Sequence, residues 1–269
     1  MPMRALPTTR SLVLEEEGGW LTVWLDRPET RNALSGEMAE ELKAVAVALR
    51  DDSPVRGVTF RGKGGTFCSG GDLKGFRAIV EEGRTLEGVA AFSRAAGELF
   101  HMINALPQVT VMLVEGAAMA GGLGLVCAGD FVAVTADARF ALTETMLGIP
   151  PAQIAPLVVQ RIGLAAARRI MLTAARFDGN EAHRIGLADA VAQDAAGLAA
   201  IEGEVRRNVM QCAPGAIAVT KELVLAAPHL PREEMLDRAA AGFARCLTGE
   251  EGREGVAAFL EKRKPCWAV

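Results

Sequence analysis

The sequence predicts an α/β fold, with strands and helices alternating ahead of an all-helical C-terminal part, and three observations carry that reading. Short apolar runs recur at 20-WLTVWL-25, 55-VRGVTF-60 and 109-VTVMLV-114. Longer stretches between them repeat their apolar residues at helical spacing, the pattern of parallel βαβ units. After about residue 198 the strand pattern stops, and helical stretches cover 199–213, 215–227, 231–247 and 252–265.

In chain order, 20-WLTVWLDRP-28 reads as a strand halted by the turn formers Asp26 and Pro28. A helix over 35–52 follows, with Ser35 ahead of Met38, Leu42, Val45 and Leu49 on one face. The strand 55–62 then enters the loop 62-GKGGTFCSGGDLKGF-76, and a helix over about 85–105 leads to a strand at 109–116. A strand over 131–142, a proline-rich turn and a helix over 155–175 complete the alternating part. No internal repeat or low-complexity linker interrupts it.

With 269 residues, half of them hydrophobic and 23% charged, the chain can bury a substantial core without covalent staples. A formal net charge of −4 gives no general attraction for nucleic acid or an anionic membrane, so an anionic ligand needs a local site. The five cysteines form no CxxC pair and are odd in number, which argues against a disulfide framework or a zinc site and fits a reducing compartment. No apolar run reaches the roughly 18 residues of a membrane span, and 1-MPMRALPTTRSL-12 lacks the apolar stretch of a signal sequence. A soluble, cytoplasmic protein is expected.

The chemistry centres on two glycine clusters and one carboxylate. Glycine allows a backbone N–H to be approached without meeting a side chain. Both 68-CSGGD-72 and 120-AGGLG-124 fall between a strand and a helical pattern, where the helix dipole also favours negative charge. Facing each other, two such turns make a hole for one oxyanion; read separately, each is equally a tight turn with close packing. Neither matches GxGxxG or a P-loop. Glu144, in 140-FALTE-144, sits among Leu142 and Met146, an apolar setting that raises a carboxyl pKa towards acid–base work. His101, His183 and His229 lie far apart, Ser69 has no histidine in its segment, Cys68 reads as a packing residue, and Trp20 and Trp24 share a strand face. Gln153 follows Glu144 in the turn, where it either meets substrate or bonds backbone.

The segments 26-DRPETRNAL-34, 66-TFCSGGDLKGF-76, 115-EGAAMAGGLGLVCAGD-130, 140-FALTE-144, 185-IGLADAV-191 and 259-FLEKRKP-265 resemble, in order and spacing, the crotonase or enoyl-CoA hydratase/isomerase superfamily. The resemblance spans nearly the whole chain. It implies a spiral of ββα units forming two roughly perpendicular sheets over 1–198, and a helical oligomerisation region over 199–269 that builds a homotrimer or a dimer of trimers. It also implies an acyl-CoA thioester substrate, no separate cofactor and no metal.

By the same resemblance, the backbone N–H groups of Gly71 and Gly121 form the oxyanion hole. Gly71, Asp72, Leu73 and Lys74 line the CoA groove, with Arg27, Lys262 and Arg263 as phosphate partners or solvated charges. Familiar hydratases of the family use two glutamates around one water. The second falls on Glu144, whereas the first falls on Gly124 and is absent. Asp130 matches a structural position of the family, and Glu115 precedes the turn. The combination of GGxGLV, FALTE, PAQIAP and the tail FLEKRKPCWA is similar to the subgroup hydrating branched glutaconyl-CoA thioesters, the isohexenylglutaconyl- and 3-methylglutaconyl-CoA hydratases. On this view Gly124 makes room for a branch at C3. The alternatives are Δ3-Δ2 isomerisation, for which one base suffices, and a non-catalytic RNA-associated member of the fold.

Overall fold

A computed structural model describes residues 6–50 and 54–268. It opens with a hairpin of β1 (Leu12–Glu17) and β2 (Trp20–Leu25), turned by Gly18 and Gly19, both at positive φ. Sequence reading missed β1, because 12-LVLEEE-17 alternates only briefly before three glutamates. It forms the sheet edge, where charged side chains discourage pairing with another strand.

The large sheet continues in parallel through β3 (Gly57–Gly62), β4 (Val109–Val114), β6 (Phe131–Thr135) and β9 (Ala190–Ala192), in the order β1-β2-β3-β4-β6-β9. The crossover α1 (Gly36–Arg50) buries Met38, Leu42, Val45 and Leu49, the residues its periodicity singled out, and the Ser35 hydroxyl accepts from the Met38 N–H at 3.2 Å. The predicted extension to residue 52 lies outside the described residues.

A smaller sheet holds β5 (Ala117–Met119), β7 (Arg139–Ala141) and β8 (Phe177–Asp178). The single strand expected over 131–142 is therefore two, β6 in one sheet and β7 in the other. A turn at Ala136–Ala138 redirects the chain, and the Arg139 N–H then bonds Gly116 O. Two isolated parallel bridges, Leu34 with Gly71 and Cys68 with Ala118, extend the same level of the molecule. Successive turns of the chain thus each place one strand in the large sheet and a short extended piece beside the previous one. This is the spiral the resemblance implied, and it stacks the glycine loops of consecutive turns.

The connection from β3 to β4 carries two helices, α2 (Leu73–Glu81) and α3 (Leu86–Asn104), of which only α3 was expected. Asp72 caps α2 by accepting the Lys74 N–H, and Thr85 caps α3 by accepting the Gly88 N–H. Helix α4 (Gly121–Cys127) follows β5, α5 (Ala155–Thr173) follows β7, and α6 (Gly179–Arg184) precedes β9. One apolar core joins α1, α3, α4 and α5 to the large sheet. On the other side α7 (Ala195–Met210) covers Trp20, Val111, Leu113 and Ala133 with Leu198 and Val209. Beneath α7 a polar chain runs from the core to the surface: Trp20 Nε1 donates to Thr59, Thr59 donates to Glu202, and the part-exposed Arg206 pairs with Glu202 at 2.6 Å.

Helices α8 (Pro214–Ala226), α9 (Arg232–Thr248) and α10 (Glu250–Leu260) pack on one another, leaving Phe243, Phe259 and Leu260 exposed. Among the described residues no single helix is long and apolar enough to cross a membrane.

Candidate active site

The two glycine clusters meet because backbone hydrogen bonds hold their strands in register. Leu34 N–H donates to Gly70 O at 2.8 Å and Asp72 N–H to Leu34 O at 3.4 Å, which fixes the 70–72 loop against the first turn of the spiral. Cys68 N–H donates to Ala117 O at 3.0 Å and Met119 N–H to Cys68 O at 2.9 Å, which fixes the same loop against β5. Gly71 and Gly121 are thereby neighbours: a Cβ on Gly121 would lie 3.7 Å from Gly71 N.

Among the described residues neither the Gly71 nor the Gly121 N–H donates to a protein acceptor, and α4 has no side-chain cap. Two N–H groups without protein acceptors at adjoining positions, one of them opening a helix, are donors of the kind an anion accepts from. Ala120, just before α4, holds φ 49° and ψ −123°, a conformation that costs on the order of 1–3 kcal/mol for a residue with a Cβ. Ala120 N–H bonds Ala141 O at 2.9 Å, and this contact ties the end of β5 to the end of β7.

Glu144 lies three residues beyond Ala141, so it leaves β7 beside the start of α4. It opens a 3-10 turn, Glu144–Leu147, closed by Gly148 at φ 77°. The carboxyl is half-buried, and Oε2 is sealed from solvent with no hydrogen-bond partner among the described residues. Burial raises its pKa, opposed in part by a hydrogen bond from its own backbone N–H.

At position 124 the geometry corrects the sequence reading that glycine makes room for a branched substrate. A Cβ on Gly124 would lie 2.7 Å from Ile154 Cβ and closer still to its Cγ2. Gly124 and Ile154 are both buried, so the space where a side chain at 124 would project is taken by this chain's own isoleucine. Gln153, next to it and exposed, does not bond backbone: its Nε2 donates to Ser93 Oγ on α3 at 3.1 Å.

Asp72, Leu73 and Lys74 form the first turn after Gly71, with Leu73 and Lys74 exposed. The basic residues linked to phosphate differ in their engagement. Arg27 pairs with Glu29 and Glu37, and Arg263 pairs with Glu254 at 2.6 Å and Glu261 at 2.7 Å, while Lys262 forms no ion pair among the described residues. The Arg263 partnership holds the Glu254 pKa down to about 2.

Residues set aside as structural have structural partners. Asp130 Oδ2 receives Lys221 Nζ at 2.6 Å and the Thr110 N–H at 2.8 Å, and Glu115 pairs with Arg61 at 2.8 Å. The His183 ring bonds Ala188 O, and burial pushes the Cys68 thiol up to about 12. Sequence reading missed two supports. Asn32, buried at φ 54°, accepts from the Arg27 N–H and donates to the carbonyls of Lys63 and Thr66, which frames the loop leading to Gly71. Phe76 packs over Gly71, where a Cβ would lie 2.8 Å from its Cζ. A polar residue within 26-DRPETRNAL-34 was the available signal for Asn32; Phe76 had none short of the fold.

The sequence profile of the enoyl-CoA hydratase/isomerase family matches residues 15–269, and the chain belongs to that family. It is an enoyl-CoA hydratase-type enzyme acting on acyl-CoA thioesters. Among similar proteins, Pseudomonas aeruginosa AtuE shares 47% identity at a TM-score of 0.93, over 97% of this chain and 100% of that one. An enoyl-CoA hydratase/isomerase from Marinobacter aquaeolei shares 38% identity at a TM-score of 0.92, over 96% and 99% of the two chains. The enoyl-CoA hydratase ACTT6 of Alternaria alternata is 31% identical over 94% of this chain and 82% of its own length.

Proposed function

We propose that this enzyme adds water across the 2,3 double bond of a branched glutaconyl-CoA thioester, isohexenylglutaconyl-CoA or 3-methylglutaconyl-CoA, with Glu144 as its one acid–base group. The observation that carries the reading is the buried, unpartnered Oε2 of Glu144, on the turn leaving β7 beside α4. In this scheme the thioester oxygen accepts hydrogen bonds from the N–H groups of Gly71 and Gly121. Glu144 takes a proton from water as the water oxygen bonds C3, and the π electrons move onto the thioester oxygen as an enolate. The enolate then collapses, C2 takes the proton back from Glu144, and the carboxylate is restored. Gly71, Asp72, Leu73 and Lys74 line the CoA groove. Coenzyme A enters as part of the substrate, and the chemistry calls for neither a metal nor another cofactor.

A branched substrate is supported by the subgroup motifs around FALTE, and the absence of a second carboxylate at Gly124 is why Glu144 is the one acid–base group proposed. The room for the branch must be sought away from Ile154. The exposed Phe243, Phe259 and Leu260 support assembly through 199–269 into a homotrimer or a dimer of trimers, and five free cysteines fit a cytoplasmic location.

The test follows loss of enoyl-thioester absorbance for crotonyl-, 3-methylglutaconyl- and isohexenylglutaconyl-CoA, with wild type and Glu144→Gln. Loss with a glutaconyl substrate that the variant abolishes is the expected result. No loss with any of the three removes hydration and makes Δ3-enoyl substrates the next to assay.

A further inference from the structure

Two consecutive side chains of the Glu144 segment enter glycine notches on two different helices. Ile154 fills the notch of Gly124 on α4, the helix whose N-terminus supplies the Gly121 N–H. Gln153 fills the notch of Gly97 on α3, where a Cβ would lie 2.9 Å from Gln153 Cδ and closer still to Oε1. Its amide donates to Ser93, four residues earlier on the same face of α3. That helix also touches both oxyanion donors. Phe92 meets Phe76 edge-to-face at 6.1 Å, Phe76 packs on Gly71, and Phe100 Cζ would lie 3.8 Å from a Cβ on Gly121.

At its other end the segment is held more loosely. Ile149 N–H bonds Glu144 O at 3.2 Å, Thr145 Oγ1 donates to Met171 O at 3.5 Å, and Met146 and Leu147 are exposed. Glu144 is thus held between two anchors: β7 ahead of it, where Ala141 O accepts the Ala120 N–H, and Gln153 and Ile154 at the far end of its loop.

We propose that Gln153 is a positioning residue, which together with Ile154 clamps the 144–154 loop to α3 and α4 and sets the distance between the Glu144 carboxyl and the Gly71–Gly121 pair. The inference rests on the hydratase reading only for its kinetic readout. Gln153→Ala removes the hydrogen bond to Ser93, and Gly97→Ala expels the Gln153 amide by filling its notch while favouring the helix.

The experiment measures kcat, KM and the pH profile of kcat on the accepted enoyl-CoA thioester, with hydrogen exchange of residues 144–154 in the free enzyme. Expected for each single variant is a loss of kcat of roughly ten- to hundredfold, because small displacements of a catalytic group carry large rate costs. KM should stay within about twofold, the acidic limb of the pH profile should move, and exchange over 144–154 should quicken. Gly97→Ala/Gln153→Ala should lose no more than the worse single variant, since both break one contact. Unchanged kcat and exchange in Gln153→Ala, or losses that multiply in the double variant, overturn the clamp. If wild type hydrates no thioester, the proposed reaction falls while exchange still decides the clamp.

Discussion

Ile154 occupies the volume into which any side chain at Gly124 would project, its Cβ 2.7 Å from an ideal Cβ at that position. Glycine in the middle of α4 is thus a packing requirement as much as a missing acid. Gly124→Ala is expected to destabilise the protein, because overpacking costs about 1–3 kcal/mol against a helix-propensity gain of about 1 kcal/mol. Ile154→Ala alone should cost about 2–5 kcal/mol through its cavity. Urea unfolding of the two single variants and the double should give a double less destabilised than the sum. Additive losses would mean the two residues do not share the space.

Glu144 gives stability a pH dependence of definite sign. Burial raises its folded pKa above the unfolded value, so the fold favours the protonated form. Its contribution is fully present below the ordinary glutamate pKa of about 4.3 and is lost as pH rises through the folded value. Glu144→Gln, neutral throughout, should melt higher than wild type at neutral pH and alike below about pH 4, which thermal scans across pH will show. In the proposed mechanism the ionised carboxylate is the base, so kcat/KM should fall as pH drops through the raised pKa.

The proposed oxyanion pair is tested most directly at Gly121. A methyl there lies 3.4 Å from Leu34 Cδ1 and 3.7 Å from Gly71 N, close enough to obstruct the hole with only slight adjustment of Leu34. Gly121→Ala should keep its melting temperature within a few degrees while kcat falls on the order of a hundredfold, the usual cost of one lost oxyanion donor. Comparable activity would show that the thioester oxygen binds elsewhere.

Lys221 fastens α8 to the large sheet, its Nζ bonded to Asp130 Oδ2 at 2.6 Å and to Gln108 O at 3.1 Å. Burial lowers its pKa, and the adjacent Asp130 carboxylate opposes that shift. Lys221→Met keeps the apolar stem and strands Asp130, with an expected loss of about 1.5–3 kcal/mol, the range for hydrogen bonds to charged groups. Lys221→Met/Asp130→Asn should recover part of it in denaturant unfolding, because no carboxylate charge is then left without its ammonium partner.

Much of this molecule is written in local pattern. The apolar residues at helical spacing in 36–50 and the β-rich runs at 20–25, 57–62 and 109–114 predicted their elements, since period and propensity are properties of neighbouring residues. The glycines of 68-CSGGD-72 and 120-AGGLG-124, with Glu144, marked the candidate site for the same reason: their chemistry is carried by residue type. The break of 131–142 into two sheets was not legible, because a change of sheet is set by what pairs with each half, here β4 and β5. Nor were the Ile154–Gly124 and Gln153–Gly97 contacts, which bring together residues 30 and 56 positions apart. A glycine in sequence announces only that a Cβ is missing; what fills the space depends on which helix the spiral brings against it.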